Sequence, residues 1–148
     1  FGYITSLRLN EPVSRDTIKK YSNWIFNQTG LVPNSGRFEG FKSSGKIETI
    51  TDKALQDNIM DLYQENIPNL INSTNNYSMK KQKLFEYLAA NTKRTTDSTN
   101  NLVAVLATDQ AYNICSTLTA VNEIIERYDL CIKKMQEIIA EIEKEYGE

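Results

Sequence analysis

The sequence predicts an all-α fold, an antiparallel helical bundle with two long helices and shorter N-terminal helices. Three observations carry that prediction. From Ile114 to Tyr146, apolar residues recur as Ile114, Leu118, Val121, Ile125, Tyr128, Ile132, Met135, Ile139, Ile142 and Tyr146. They alternate four and three residues apart, which is a heptad seam. Leu55, Ile59, Leu62, Tyr63, Ile67, Leu70, Thr74, Tyr77, Leu84 and Leu88 hold a mostly three-to-four spacing across a second long stretch. The one strand-like run, Leu102 to Ala107, has no second strand to pair with.

In the C-terminal helix, Ile124, Cys131 and Ile138 lie beside the seam at intervals of seven. They widen the apolar stripe to three positions per heptad, which suits a helix buried in a bundle. Glu123, Glu126, Arg127, Lys133, Lys134, Glu137, Glu141 and Lys144 are expected on a solvated outer face. At about 1.5 Å per residue the helix is on the order of 50 Å long. Other helices of comparable length are expected to cover its stripe.

The whole chain, 1–148, is expected to be one helical-bundle domain. Tyr3 to Leu9 read as the end of a helix that starts upstream of Phe1, and Asn10-Glu11-Pro12 breaks it. Ser14 is placed to cap a helix from Arg15 to Gln28, with Val13 and Ile18 as a hydrophobic staple and Gly30 and Pro33 as the stop. Ser35 is expected to cap a short helix carrying Phe38 and Phe41 that ends near Gly45. Ile47 and Ile50 turn inward in the connector, and Thr51 or Asp52 caps the first long helix.

Pro68 lies inside that long helix and removes one ladder hydrogen bond, so a kink or a brief break is expected over Asn66 to Asn69. The weak run Asn72 to Asn76 leaves two joined helices as the alternative to one continuous helix. Thr95 to Asn101 is the clearest loop. Leu102 to Ala107 is read as helical, and Thr108 or Asp109 opens the last helix.

Composition narrows the function classes. The chain has 40% apolar and 24% charged residues with a net charge of -2, as an ordinary folded protein does. Its bases are interspersed with acids, so no nucleic-acid footprint is expected. No run reaches the ~20 apolar residues that span a bilayer. Cys115 and Cys131 are about 24 Å apart along one helix. They cannot bridge within it, and they read as small buried hydrophobes.

The sequence contains no histidine. That removes the commonest general base and the usual zinc, haem and triad arrangements. Gly36, Gly40 and Gly45 have neither phosphate-loop nor dinucleotide-binding spacing. The expectation is a non-enzymatic protein with no cofactor and no metal site.

Binding is the open class. Trp24, Ile25 and Phe26 are consecutive large apolar residues that cannot all face one core, and Leu130 falls on the charged face of the last helix. Trp24, Phe26 and Leu130 are therefore the candidate interaction surface, for a protein partner or for self-association. A small-ligand pocket near the Pro68 kink, beside Asn66 and Asn69, is the alternative.

The stretch from Pro33 to Ile67 carries Phe38, the turn Lys42-Ser43-Ser44-Gly45-Lys46, Ile47 and Ile50, and then Leu55, Ile59, Leu62 and Tyr63. It resembles a segment in a family of uncharacterised Bacteroidetes membrane-anchored proteins. The resemblance covers about a quarter of the chain closely. It implies a periplasmic or extracytoplasmic helical domain tethered to the membrane upstream of Phe1, with a cytoplasmic bundle as the alternative. It implies no activity for any residue.

Overall fold

The structure is a computed structural model and describes residues 2–14, 16–17, 20–21, 25, 27, 30–93 and 100–147. Every regular element among them is helical, so the fold is all-α. Two long helical stretches, of 39 and 38 residues, dominate it. Contacts divide the chain into two compact units, Phe1–Thr29 with Asn75–Val121, and Gly30–Thr74 with Asn122–Glu148.

In the first unit, α1 (Gly2–Arg8) ends as the sequence predicts, just before Asn10. Asn10 has φ 54°, the Glu11 N–H donates to the Ser6 carbonyl at 2.9 Å, and the Asn10 N–H donates to the Leu7 carbonyl at 3.2 Å. This pair of bonds is a Schellman stop. Asp16, Thr17, Lys20, Tyr21 and Ile25 are helical, in line with the expected second helix. Its ends at Arg15 and Gln28, and Ile18 of the staple, lie outside the described residues.

The core of this unit is Leu7, Leu84, Leu88, Leu102, Val105, Leu106 and Cys115. Leu102–Leu106 is helical (α5), as read, and Thr108 caps α6 (Asp109–Ser116) by accepting from the Ala111 N–H at 3.2 Å. Most of the 95–101 loop lies outside the described residues, but its closure is defined. The Asn101 carboxamide accepts from the Lys93 N–H at 2.6 Å and donates to the Asn91 carbonyl at 3.3 Å. Arg8 Nε donates to Asp109 Oδ1 at 2.9 Å, and its guanidinium lies 4.4 Å from the Tyr112 ring centre.

In the second unit, Ser35 stands at the N-cap of α2 (Gly36–Ser43), but its side chain makes no capping bond. Gly45, at φ 72°, occupies the left-handed conformation that lets the chain turn into a short 3-10 segment, Lys46–Thr49. Of the two expected caps for the next helix, Asp52 is the one used: its Oδ1 accepts from the N–H of Ala54 at 2.8 Å and of Leu55 at 3.1 Å. The helix runs as α3 (Lys53–Asp61), a π-helical turn (Leu62–Asn66) and α4 (Ile67–Asn91).

The π turn is the local answer to Pro68. A proline has no N–H for the ladder and its ring crowds the carbonyl four residues back. The Ile67 N–H instead reaches the Leu62 carbonyl, five residues back, and the helix continues without a break through the Asn72 to Asn76 run.

The C-terminal helix is interrupted where continuity was expected. Between α6 and α7 (Val121–Tyr146), the Thr117 and Leu118 N–H groups bond three residues back, to Ile114 and Cys115. The Ser116, Thr117 and Thr119 hydroxyls each bond a carbonyl three residues back as well, to Asn113, Ile114 and Ser116. Hydroxyls competing for ladder carbonyls tighten this turn.

Candidate functional site

The candidate site is the face of α7 that its own unit leaves uncovered. On a heptad, Ile125, Ile132, Ile139 and Tyr146 take position a, and Val121, Tyr128, Met135 and Ile142 take d. Ile124, Cys131 and Ile138 take g, Arg127, Lys134 and Glu141 take c, and Asn122, Asp129, Gln136 and Glu143 take e.

The second unit covers the g and c rows. Cys131 is 2% exposed and Ile138 7%, and Ile138 packs with Leu55, Leu62 and Ile67. Burial raises the Cys131 thiol pKa above its ordinary value. On the c row, Lys134 Nζ donates to Asn58 Oδ1 at 2.6 Å and lies 3.7 Å from Asp61 Oδ2. Asn58 Nδ2 donates to both Glu141 carboxylate oxygens at 3.0 Å, and Thr51 donates to Glu145 at 2.8 Å. Rising numbers on one helix meet falling numbers on the other, so the pair is antiparallel.

This corrects two sequence expectations. The a and d seam is not covered: Ile132 is 48% exposed and Ile139 54%, and Val121, Ile125, Met135, Ile142 and Tyr146 are exposed with them. Lys134 and Glu141, expected on the solvated face, are half-buried against Asn58. The helix is turned so that the third apolar column, beside the seam, faces its own unit. A hydrogen-bonded Lys134–Asn58–Glu141 cluster favours that rotation, because a charged group held by such bonds is satisfied without full exposure.

At its C-terminal end the exposed seam runs into a groove of about 430 Å³, walled by Phe41, Ile50, Leu55, Ile59, Ile142 and Tyr146. Phe38 stacks on Tyr63 with ring centres 4.3 Å apart. A separate apolar cavity of about 350 Å³ in the first unit is lined by Tyr3, Ile4, Tyr21, Ile25, Leu84 and Leu106.

Comparison with family models, curated proteins and solved structures finds no match to this chain.

Of the residues singled out in the sequence, Trp24 and Phe26 lie outside the described residues. Leu130 is exposed, at 62%. It lies two residues before Ile132, about 160° around the helix, and so is not part of the seam. Beside Pro68, Asn66 is half-buried and Asn69 exposed, and neither lines the two cavities described above. Among the described residues no three Asp, Glu or Cys side chains gather as metal ligands would, and no helix is long and apolar enough to cross a membrane. What periodicity did not show is that the seam itself is the open surface. The available signal was the third apolar column, since three columns exceed what one covering helix can bury.

Proposed function

We propose that this chain is a non-enzymatic helical interaction module whose working surface is the exposed seam of α7 together with the adjoining groove. The observation that carries the reading is the exposure of an unbroken heptad seam. Seven of its eight large apolar residues from Val121 to Tyr146 are exposed, and the eighth, Tyr128, is half-buried. The fitting occupant is an amphipathic helix, which presents apolar side chains at the same spacing and lays them into such a groove. Asp129 and Glu143 edge the seam and favour amide or basic residues opposite them.

The resemblance over Pro33 to Ile67 supports an extracytoplasmic setting with a membrane tether upstream. A gene that encodes no run of about 20 apolar residues before Phe1 would remove that support. The interaction reading is tested by site-specific photo-crosslinking in the source cells. A photoreactive residue in place of Ile132 is expected to form covalent adducts, and one in place of Glu137, on the outer face, is not. Equal labelling at both positions, or none at either, overturns the reading.

A further inference from the structure

We infer that the helix received by this seam is the same α7 of a second copy, docked antiparallel in one register. The inference rests on the interaction reading above and adds the identity of the partner. The first support is area. Seven large apolar side chains, each exposed by roughly 40–55%, leave on the order of 600 Å² of apolar surface on one face. That is at the upper edge of the largest patch a monomer carries. It approaches the ~800 Å² that each partner contributes to a standard interface.

The second support is direction. A parallel pair sets the e row of one helix against the g row of the other. Here Cys131 and Ile138 of the g row are already buried in their own unit. An antiparallel pair sets e against e and g against g, so Asp129 and Glu143 are not laid against the apolar g column.

The third support is register. Placing Ile132 opposite Met135 also places Ile125 opposite Ile142, Ile139 opposite Tyr128 and Tyr146 opposite Val121. Every a residue then meets a d residue, with no polar layer. Along the e row, acids and amides alternate as Asn122, Asp129, Gln136 and Glu143. In this register Asp129 faces Gln136 and Asn122 faces Glu143. A slip of one heptad in one direction brings Asp129 against Glu143, and in the other it brings Asp129 against Asp129. Each slip also loses apolar layers, so charge and packing select the same register.

Sedimentation equilibrium of the purified chain is expected to show a reversible dimer in roughly the micromolar range, as interfaces near the lower size limit do. Ile132→Glu is expected to weaken it by at least about tenfold, since it sets an unpaired charge in the central layer. Circular dichroism of the dilute variant should still show native helix. Gln136→Lys is expected to tighten the dimer about threefold or more, because it faces Asp129 twice across the two-fold axis.

A photoreactive residue in place of Ile125 should join the neighbour near Ile142. A joint near Ile125 means a parallel pair and overturns the inference, as does weakening by Gln136→Lys. A chain that stays monomeric at about 100 µM, well above the micromolar range expected of such an interface, overturns it too. In that case adducts of Ile132 to a different protein would leave the interaction reading standing, and their absence would remove both.

Discussion

Adjacent isoleucines on α7 separate the two faces, and replacing each by alanine measures the difference. Ile138 is buried against Leu55, Leu62 and Ile67, while Ile139 is half exposed on the seam. Ile138→Ala removes fully buried methyl and methylene groups and leaves a void, which costs about 3 kcal/mol, within the range of 2–5 for such changes. Ile139→Ala loses only the covered half of its side chain, about 1 kcal/mol or less. A few tenths return through the better helix propensity of alanine. At roughly 2–4 °C per kcal/mol for a chain of this size, Ile138→Ala should lower Tm by about 6–12 °C and Ile139→Ala by less than about 3 °C. The assay is thermal and urea unfolding followed by far-UV circular dichroism on dilute protein. Equal losses, or a larger loss at 139, would show that the seam and not the g column is the buried face.

Asp52→Ala should cost about 1 kcal/mol through the loss of the cap on Ala54 and Leu55. Asp52→Asn should recover most of it in the same urea titration, and equal losses would rule out capping. Asn101→Ala should cost about 1 kcal/mol and increase proteolysis across 94–99, because it opens the bonds to Lys93 and Asn91. Unchanged stability and cleavage would show that those bonds do not close the loop. Burial raises the pKa of both Cys115 and Cys131 above the ordinary 9.0. The folded chain therefore holds those protons more tightly than the unfolded one. The stability so gained is complete below about pH 9 and is lost as pH climbs through the raised values. At pH 8 a thiol reagent should modify both only after denaturant is added, and rapid labelling of the native chain would contradict their burial.

How much was legible follows the range of the forces involved. Caps, stops and interruptions are local, and Asp52, Thr108, the Asn10 stop and the trouble at Pro68 could all be located from their neighbours in sequence. The form taken at Pro68 was less legible. A chain can answer a proline by breaking, bending or widening one turn, and the choice depends on whether the residues beyond, here Leu70, Thr74 and Leu84, find buried places on the same continuous helix. The break at 117–120 was in principle readable from Ser116, Thr117 and Thr119, but the regular apolar spacing across it masked that signal.

The orientation of α7 was not legible, because it is set by a long-range polar contact. Periodicity sees three apolar columns and cannot say which residue elsewhere in the chain will hold both Lys134 and Glu141. Asn58 does this, 76 and 83 positions earlier in sequence. Once that contact turns the c row inward, the g column follows it and the a column must turn outward.

That rotation divides labour on a single helix. Two buried side chains, Cys131 and Ile138, and the Asn58 cluster are what fix α7 to its unit. The a row stays about half exposed, yet it is isoleucine at three successive turns of the heptad and tyrosine at the fourth. Scattered surface apolar residues need no explanation, but a strict a and d alternation on one exposed face is the pattern that specifies a helical neighbour. A fold requirement would place the largest losses from substitution on the seam. A binding requirement would leave the fold nearly untouched and move the losses to association. The row by row separation of stability from association is therefore the property by which the two accounts of this helix differ.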